Sequence, residues 1–76
     1  MKDKVSDFIV YENDSSEIAY VRRSSITSFA PRYVRKNCFR VLVTVGKETF
    51  SIYQAESVEA AKNWIHEQIA IIENGL

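Results

Sequence analysis

A chain of 76 residues with 46% hydrophobic and 26% charged residues has the composition of one small globular domain, and residues 1–76 are expected to form it. The formal net charge is zero, and the single cysteine excludes an intrachain disulfide. The first residues carry two acids and no long apolar run follows, so the sequence predicts a cytoplasmic protein without membrane contact.

The N-terminal half of the chain predicts three strands. Strand-forming residues occupy approximately 5–11 and 18–22, and the run between them is rich in turn-forming polar residues. A second polar run precedes a third strand at approximately 26–35. Because Pro31 has no amide hydrogen, that strand is predicted to lie at the edge of a sheet or to be irregular there.

A β-hairpin is predicted for strands at 38–45 and 48–55. Hydrophobic residues alternate along the first strand, and Gly46 opens a two-residue turn, as a type II′ turn requires. A regular register then pairs Val45 with Glu48, Thr44 with Thr49, Val43 with Phe50, Leu42 with Ser51, Val41 with Ile52 and Arg40 with Tyr53. The predicted core face comprises Phe39, Val41, Val43, Phe50 and Ile52.

Residues 58–73 predict one amphipathic helix. Ser57 is a typical N-cap, and Asn74 followed by glycine is a typical C-terminal stop. Apolar residues at spacings of three and four predict the packed face, which comprises Val58, Ala61, Ile65, Ile69 and Ile72. A second apolar patch with Trp64 and Ile71 either wraps onto a curved sheet or contacts another chain.

These elements predict an α+β fold. It consists of a small antiparallel, meander-like sheet of four to five strands with one C-terminal amphipathic helix packed on one face. On the regular register, Arg40 and Tyr53 share the sheet face that points away from the helix. If the turn between Arg35 and Cys38 also has two residues, Tyr33 joins them. The same register turns Arg32 inward, which is unfavourable for a cation and suggests that Pro31 shifts the strand.

Catalytic and metal-binding patterns are not evident in the sequence. His66, the one histidine, is predicted on the polar face of the helix, and Cys38 lies in a strand without an activating base. Metal sites need clusters of ligands at short spacing, which these two residues do not form. The sequence therefore predicts a protein that is not an enzyme and that uses no cofactor.

The charges are unevenly distributed along the chain. Between residues 22 and 40 there are six cationic side chains and no acid, whereas both flanking segments are acidic on balance. Aromatic residues are interleaved with these cations. The cationic residues are Arg22, Arg23, Arg32, Arg35, Lys36 and Arg40.

Three roles for the cationic block follow. The first is a protein-interaction or regulatory module that contacts a protein partner or forms a homodimer. The alternative, which is less favoured, is single-stranded nucleic-acid binding, in which arginines contact phosphate and aromatic rings stack on bases. In the third, the block pairs with the chain's own acids. Candidate contacts are Arg22, Arg23, Tyr33, Arg35, Lys36, Arg40 and Tyr53, and candidate interface residues are Trp64 and Ile71.

Overall fold

The computed structural model describes residues 6–75 and contains two antiparallel sheets and one α-helix. Strands β1 (Phe8–Glu12) and β2 (Ile18–Arg22) pair with each other. A 3-10 turn, Arg23–Ser25, leads to the second sheet. That sheet has the order β3 (Ser28–Arg35), β4 (Cys38–Val45) and β5 (Glu48–Ala55), and the helix α1 (Val58–Glu73) follows it.

The α+β class and the C-terminal helix agree with the prediction, but the prediction of four to five strands in one sheet is matched only in part, because the five antiparallel strands are divided between a two-stranded and a three-stranded sheet. The 3-10 turn redirects the chain after Arg22, so that β2 pairs with β1 and β3 pairs with β4. Because of this turn, the third strand begins at Ser28 rather than at residue 26. The first strand begins at Phe8, and position 5 of its predicted range lies outside the described residues.

Helix α1 begins where the sequence indicates. The Ser57 Oγ accepts a hydrogen bond of 3.1 Å from the backbone N–H of Ala60, which satisfies one of the free donors of the first turn. The helix packs on one face of the three-stranded sheet, and residues of both sheets join it in one core. The buried hydrophobic members of that core are Ile9, Val21, Val41, Val43, Ile52, Ala55, Ala61 and Ile65.

The buried face of α1 is rotated from the predicted one. Ala61 and Ile65 are buried as expected, but the third buried residue is Gln68. Val58 and Ile69, predicted in the packed face, are 40% and 36% exposed. The helix therefore turns its contact face towards the side that carries Gln68 and the half-buried Trp64.

Trp64 packs against the sheet through two aromatic contacts. Its ring lies 4.5 Å from that of Tyr53 with an interplanar angle of 8°, and 6.4 Å from that of Phe29 in an edge-on arrangement. Such pairs add stabilisation beyond the burial of apolar area. The second apolar patch of the helix thus extends the packed face at Trp64.

The β4–β5 hairpin follows the predicted register only as far as the pair Leu42 and Ser51. The positive φ of Gly46, 62°, is what the predicted turn requires at its first position. Beyond Ser51, one extra residue, Ile52, interrupts the ladder. The predicted pairs of Val41 with Ile52 and of Arg40 with Tyr53 are therefore wrong. Instead, Val41 pairs with Tyr53, and Arg40 pairs with Gln54.

A second bulge lies in β3, which is an edge strand, as Pro31 indicates. Its register shifts between Tyr33 and Arg35, so that Val34 is the extra residue. Tyr33 consequently pairs with Phe39, and Arg32 pairs with Arg40. Tyr33 therefore does not lie beside Arg40, because the inserted residue exchanges the two faces of the strand. The strand is shifted, as an inward Arg32 indicated, but the shift occurs at Val34 and not at Pro31.

We expect Val43→Ala to lower the free energy of unfolding by about 2 kcal/mol, because Val43 is fully buried and truncation leaves a cavity. Chemical denaturation of the purified variant measures this loss. Val58→Ala is the matched control, since Val58 is 40% exposed and its truncation should change stability by less than about 0.5 kcal/mol. Equal losses in the two variants would contradict the assigned core.

Candidate functional site

The face of the three-stranded sheet that points away from α1, called the open sheet face below, is mostly polar. Its residues follow from the register of the strands and from the side-chain hydrogen bonds between them. They are Ser28, Ala30, Arg32, Arg40, Leu42, Thr44, Thr49, Ser51 and Gln54. Hydroxyl groups and guanidinium groups thus dominate a surface that α1 leaves uncovered.

Two arginines lie directly opposite each other at the centre of this face. The bulge at Val34 pairs Arg32 with Arg40 on neighbouring strands. The Arg40 Nη1 donates a hydrogen bond of 2.9 Å to the Ser51 Oγ, which fixes its direction across β4 and β5. Like charges in directly opposite positions destabilise a sheet, so this pair has an energetic cost in the free protein.

No acid of the described chain forms an ion pair with these arginines. Within residues 6–75, the ion pair found within 4.0 Å joins Arg22 of β2 to Asp7 and includes no residue of the open sheet face. Together with Arg35 and Lys36 at the tip of the β3–β4 hairpin, the two arginines give residues 28–45 four cationic side chains and no acid. This hairpin is called the basic ribbon below.

An open depression of about 500 Å³ borders the arginine pair. Arg32 and Arg40 line it together with the hydroxyl-bearing Thr49 and Ser51 of β5. Asp14, from the turn between β1 and β2, lies at its margin. The depression thus offers two cations and two hydroxyl groups to an anion, with one carboxylate nearby that opposes binding.

Arg22 lies away from the basic ribbon and contacts its own chain. Its Nη1 donates a hydrogen bond of 2.9 Å to the Asp7 Oδ2, and its guanidinium lies 4.6 Å from the centre of the Phe8 ring. Partial desolvation raises the pKa of Asp7, but hydrogen bonds from Ser24 and Arg22 outweigh it and lower that pKa below its usual value of 3.8. Arg22 is therefore fixed by contacts with its own chain, at the end of the β1–β2 sheet where it pairs with Phe8.

Arg23 joins the beginning of β1 to the helix. Its Nε donates a hydrogen bond of 2.7 Å to the Oε1 of the buried Gln68, and its Nη1 donates to the backbone carbonyls of Ser6 and Phe8. These contacts satisfy a buried polar side chain that the sequence pattern did not indicate. The cationic block therefore divides into Arg22 and Arg23, which bind their own chain, and the four cations of the basic ribbon.

The two tyrosines that were expected on the open sheet face lie on the face towards α1. Tyr53 stacks on Trp64, and Tyr33 contacts Phe39 edge-on at a ring distance of 5.5 Å. The sequence carries a signal for the first change: Ile52 and Tyr53 are consecutive apolar residues that interrupt the alternation, and the polar Gln54 follows. Such a break is typical of a β-bulge.

Trp64 and Ile71, the candidate interface residues, are both half-buried in the free chain. Trp64 uses its ring for the contacts with Tyr53 and Phe29, so it contributes to the packing of the helix. A partner contact at these two residues stays a prediction.

The outward face of the β1–β2 sheet was not anticipated from the sequence. It presents four large apolar side chains, which are exposed by 41% at Phe8, 58% at Val10, 66% at Ile18 and 64% at Tyr20. They alternate with Ile9, Val21 and other residues that point into the core. We call this surface the hairpin face. Its signal in the sequence is that both strands carry apolar residues at successive positions, which predicts two apolar faces.

Cys38 and His66, the two groups considered for catalysis, differ in their exposure to solvent. Cys38 is buried, and His66 is exposed on α1. Residues 6–75 contain no cluster of three or more histidine, cysteine or carboxylate side chains that could bind a metal ion. None of the helical structure described for the chain is long and apolar enough to cross a membrane.

Comparison with known proteins finds no matching family model, no matching curated protein and no matching solved structure.

We expect Arg32→Thr to raise the free energy of unfolding by about 0.5 kcal/mol, because it removes the like charge opposite Arg40. Thermal or chemical denaturation at low salt measures the gain, which should shrink in high salt as the repulsion is screened. Arg35→Thr, at the end of the same strand and opposite Cys38, is the control and should give a smaller gain. A loss of stability in Arg32→Thr would show that the arginine pair is not repulsive.

Proposed function

We propose that the protein is a non-enzymatic DNA-binding module that contacts double-stranded DNA through its basic ribbon. The observation that carries this proposal is the pair of Arg32 and Arg40, directly opposed on a polar sheet face and without an ion-pair partner in residues 6–75. A surface that concentrates uncompensated cations at a cost in stability is typical of a binding site for a polyanion.

The dimensions of the ribbon favour a duplex. The major groove of B-form DNA is about 12 Å wide and admits a two-stranded β-ribbon, whose strands lie about 4.8 Å apart. In this protein the two strands are β3 and β4, at the free edge of the three-stranded sheet, with the arginine pair between them and Arg35 and Lys36 at the hairpin tip. In a groove, the central pair can reach the edges of bases while the tip contacts the phosphate backbone.

The residue types of the open sheet face fit groove recognition. Arginine binds guanine with two hydrogen bonds, and glutamine can bind adenine in the same manner. Arg32, Arg40 and Gln54 provide these groups, and Thr49 and Ser51 provide hydroxyl donors beside them. A-form RNA presents a major groove too deep and narrow for side chains to read, so DNA is the favoured duplex.

The single-stranded mode expected from the sequence has less support. It requires aromatic rings that stack on unpaired bases beside the arginines. Tyr53 is stacked on Trp64 instead, and Tyr33 pairs with Phe39 on the face towards the helix. Tyr33 and Phe50 border the depression beside the arginine pair, but the side chains of the open sheet face itself are mostly hydrogen-bonding and cationic groups, which suits base edges and phosphates.

We expect the protein to bind a mixed-sequence DNA duplex of about 20 base pairs with an affinity that falls steeply with salt. Fluorescence anisotropy should give a log–log slope of about −3, as for three phosphate contacts. Arg40→Ala should weaken binding about 10-fold at low salt, and Asp14→Asn should strengthen it, because Asp14 borders the arginine pair.

Lys62→Ala is the matched control for this experiment, since Lys62 is an exposed cation on α1, away from the open sheet face. It should leave the affinity within about twofold. Equal weakening by Lys62→Ala and Arg40→Ala would indicate non-specific charge attraction. Tighter binding to a single strand of the same sequence would contradict the duplex proposal, as would the absence of binding at low salt.

The protein-interaction function expected from the sequence is the second candidate. The observation that favours it is the hairpin face, where Val10, Ile18 and Tyr20 each expose more than half of their surface. Contiguous exposed apolar side chains on a small protein are typical of a contact surface for another protein. This surface is distinct from the basic ribbon, so the two functions are separable by mutation.

A further inference from the structure

We propose that the two opposed arginines of the open sheet face have different roles on DNA: Arg40, positioned by Ser51, binds guanine in the major groove, whereas Arg32 binds phosphate. The assignment rests on the proposed binding of duplex DNA and adds the base that is recognised. It follows from a difference between the two side chains, since a hydrogen bond fixes Arg40 in the free protein while Arg32 is exposed.

Arg40 is fixed by a hydroxyl group of the neighbouring strand. Its Nη1 donates a hydrogen bond of 2.9 Å to the Ser51 Oγ, although the residue that pairs with it on β5 is Gln54. Ser51 pairs with Leu42, so the guanidinium leans along β4 towards Leu42. The side chain is also half-buried, which limits its freedom further. Arg40 therefore presents its donors in one direction before any ligand binds.

This hydrogen bond leaves the paired donors of Arg40 free. A guanidinium carries five N–H donors, and the parallel N–H groups of Nε and Nη2 form a fork that binds two acceptors together. Ser51 accepts from Nη1 alone. Because the fork is oriented in advance, less conformational freedom is lost when two hydrogen bonds form with a ligand. Arg40 thus suits a ligand with two adjacent acceptors.

Arg32 has the opposite properties. It is exposed, and within residues 6–75 no side-chain hydrogen bond or ion pair includes it. A phosphate attracts a cation from many directions, so it does not require an oriented fork. Together with Arg35 and Lys36, Arg32 supplies three phosphate contacts, the number that gives a salt slope of about −3.

Guanine is the base that matches the Arg40 fork. Its N7 and O6 are two acceptors that lie side by side in the major groove. Adenine places an amino group next to its N7, thymine has one acceptor beside a methyl group, and cytosine presents a donor. Because arginine has donors and no acceptor, guanine is the one base that satisfies both branches of the fork.

Fluorescence anisotropy with two duplexes at low salt tests the assignment. One is a G·C-rich duplex of about 20 base pairs, so that every register offers a guanine. The other has each guanine replaced by 7-deazaguanine, which lacks the N7 acceptor but keeps the base pairing and the charge. The protein should bind the unmodified duplex at least about fivefold more tightly. Equal affinities for the two duplexes would overturn the assignment of guanine.

The two arginines give a matched pair of variants. Arg40→Ala should reduce the ratio of the two affinities to about one, because the residue that contacts N7 is gone. Arg32→Ala should weaken the binding of both duplexes and keep the ratio, because it removes a phosphate contact. Loss of the ratio in both variants, or in Arg32→Ala alone, would contradict the division of roles. Circular dichroism verifies that each variant is folded.

Ser51→Ala tests the positioning role, since it removes the hydroxyl group and keeps the charge of Arg40. The ratio of the two affinities should fall below about twofold. Ser51→Thr, which restores a hydroxyl group, should recover the ratio. If Ser51 had a merely structural role, Ser51→Ala would weaken the binding of both duplexes equally and leave the ratio unchanged, which would overturn the positioning role.

The failure of this assignment is distinguishable from the failure of DNA binding. Steep salt dependence with equal affinities for the two duplexes would retain the DNA-binding function and remove guanine recognition by Arg40. Absence of binding to either duplex at low salt would overturn both.

Discussion

The two β-bulges on either side of the Phe39–Arg40 segment of β4 are the constraint on which the rest of the structure depends. Because side chains alternate between the faces of a strand, one inserted residue exchanges every later side chain from one face to the other. The bulges at Val34 and Ile52 act on both neighbours of β4. They direct Tyr33 and Tyr53 towards the helix, and Arg32 and Gln54 to the opposite face.

Each side of the sheet gains a different property from this exchange. Towards the helix, Tyr53 completes an aromatic contact with Trp64 that stabilises α1 on the sheet. On the open sheet face, Arg32 and Arg40 are brought into opposition, which costs stability but concentrates positive charge beside hydroxyl groups. The bulges thus serve packing and proposed binding together. Strand irregularities are frequent next to functional sites because they re-aim side chains.

Much of the local structure follows from the sequence. Helix α1, its cap at Ser57, and the turn at Gly46 were predictable because propensity, spacing and turn chemistry agree there. The bulge at Val34 was not, since it depends on long-range packing that favours one extra residue in a strand, and the bulge at Ile52 is indicated only by the break in alternation at Ile52 and Tyr53. The separation into two sheets was also missed, because the 3-10 turn at Arg23–Ser25 is stabilised by tertiary contacts of Arg23 and Asp7. The open arginine pair and the hairpin face follow from these two features.

The exchange of faces is most directly tested by nuclear Overhauser effects from the ring protons of Tyr53. The structure predicts strong cross-peaks between the rings of Tyr53 and Trp64, whose centres are 4.5 Å apart, and none to the side chains of Arg40 or Ser51. Cross-peaks from Tyr53 to the side chain of Arg40, without contacts to Trp64, would show that β5 runs without the bulge. That result would place Tyr53 on the open sheet face and contradict the exchange of faces by the bulge at Ile52.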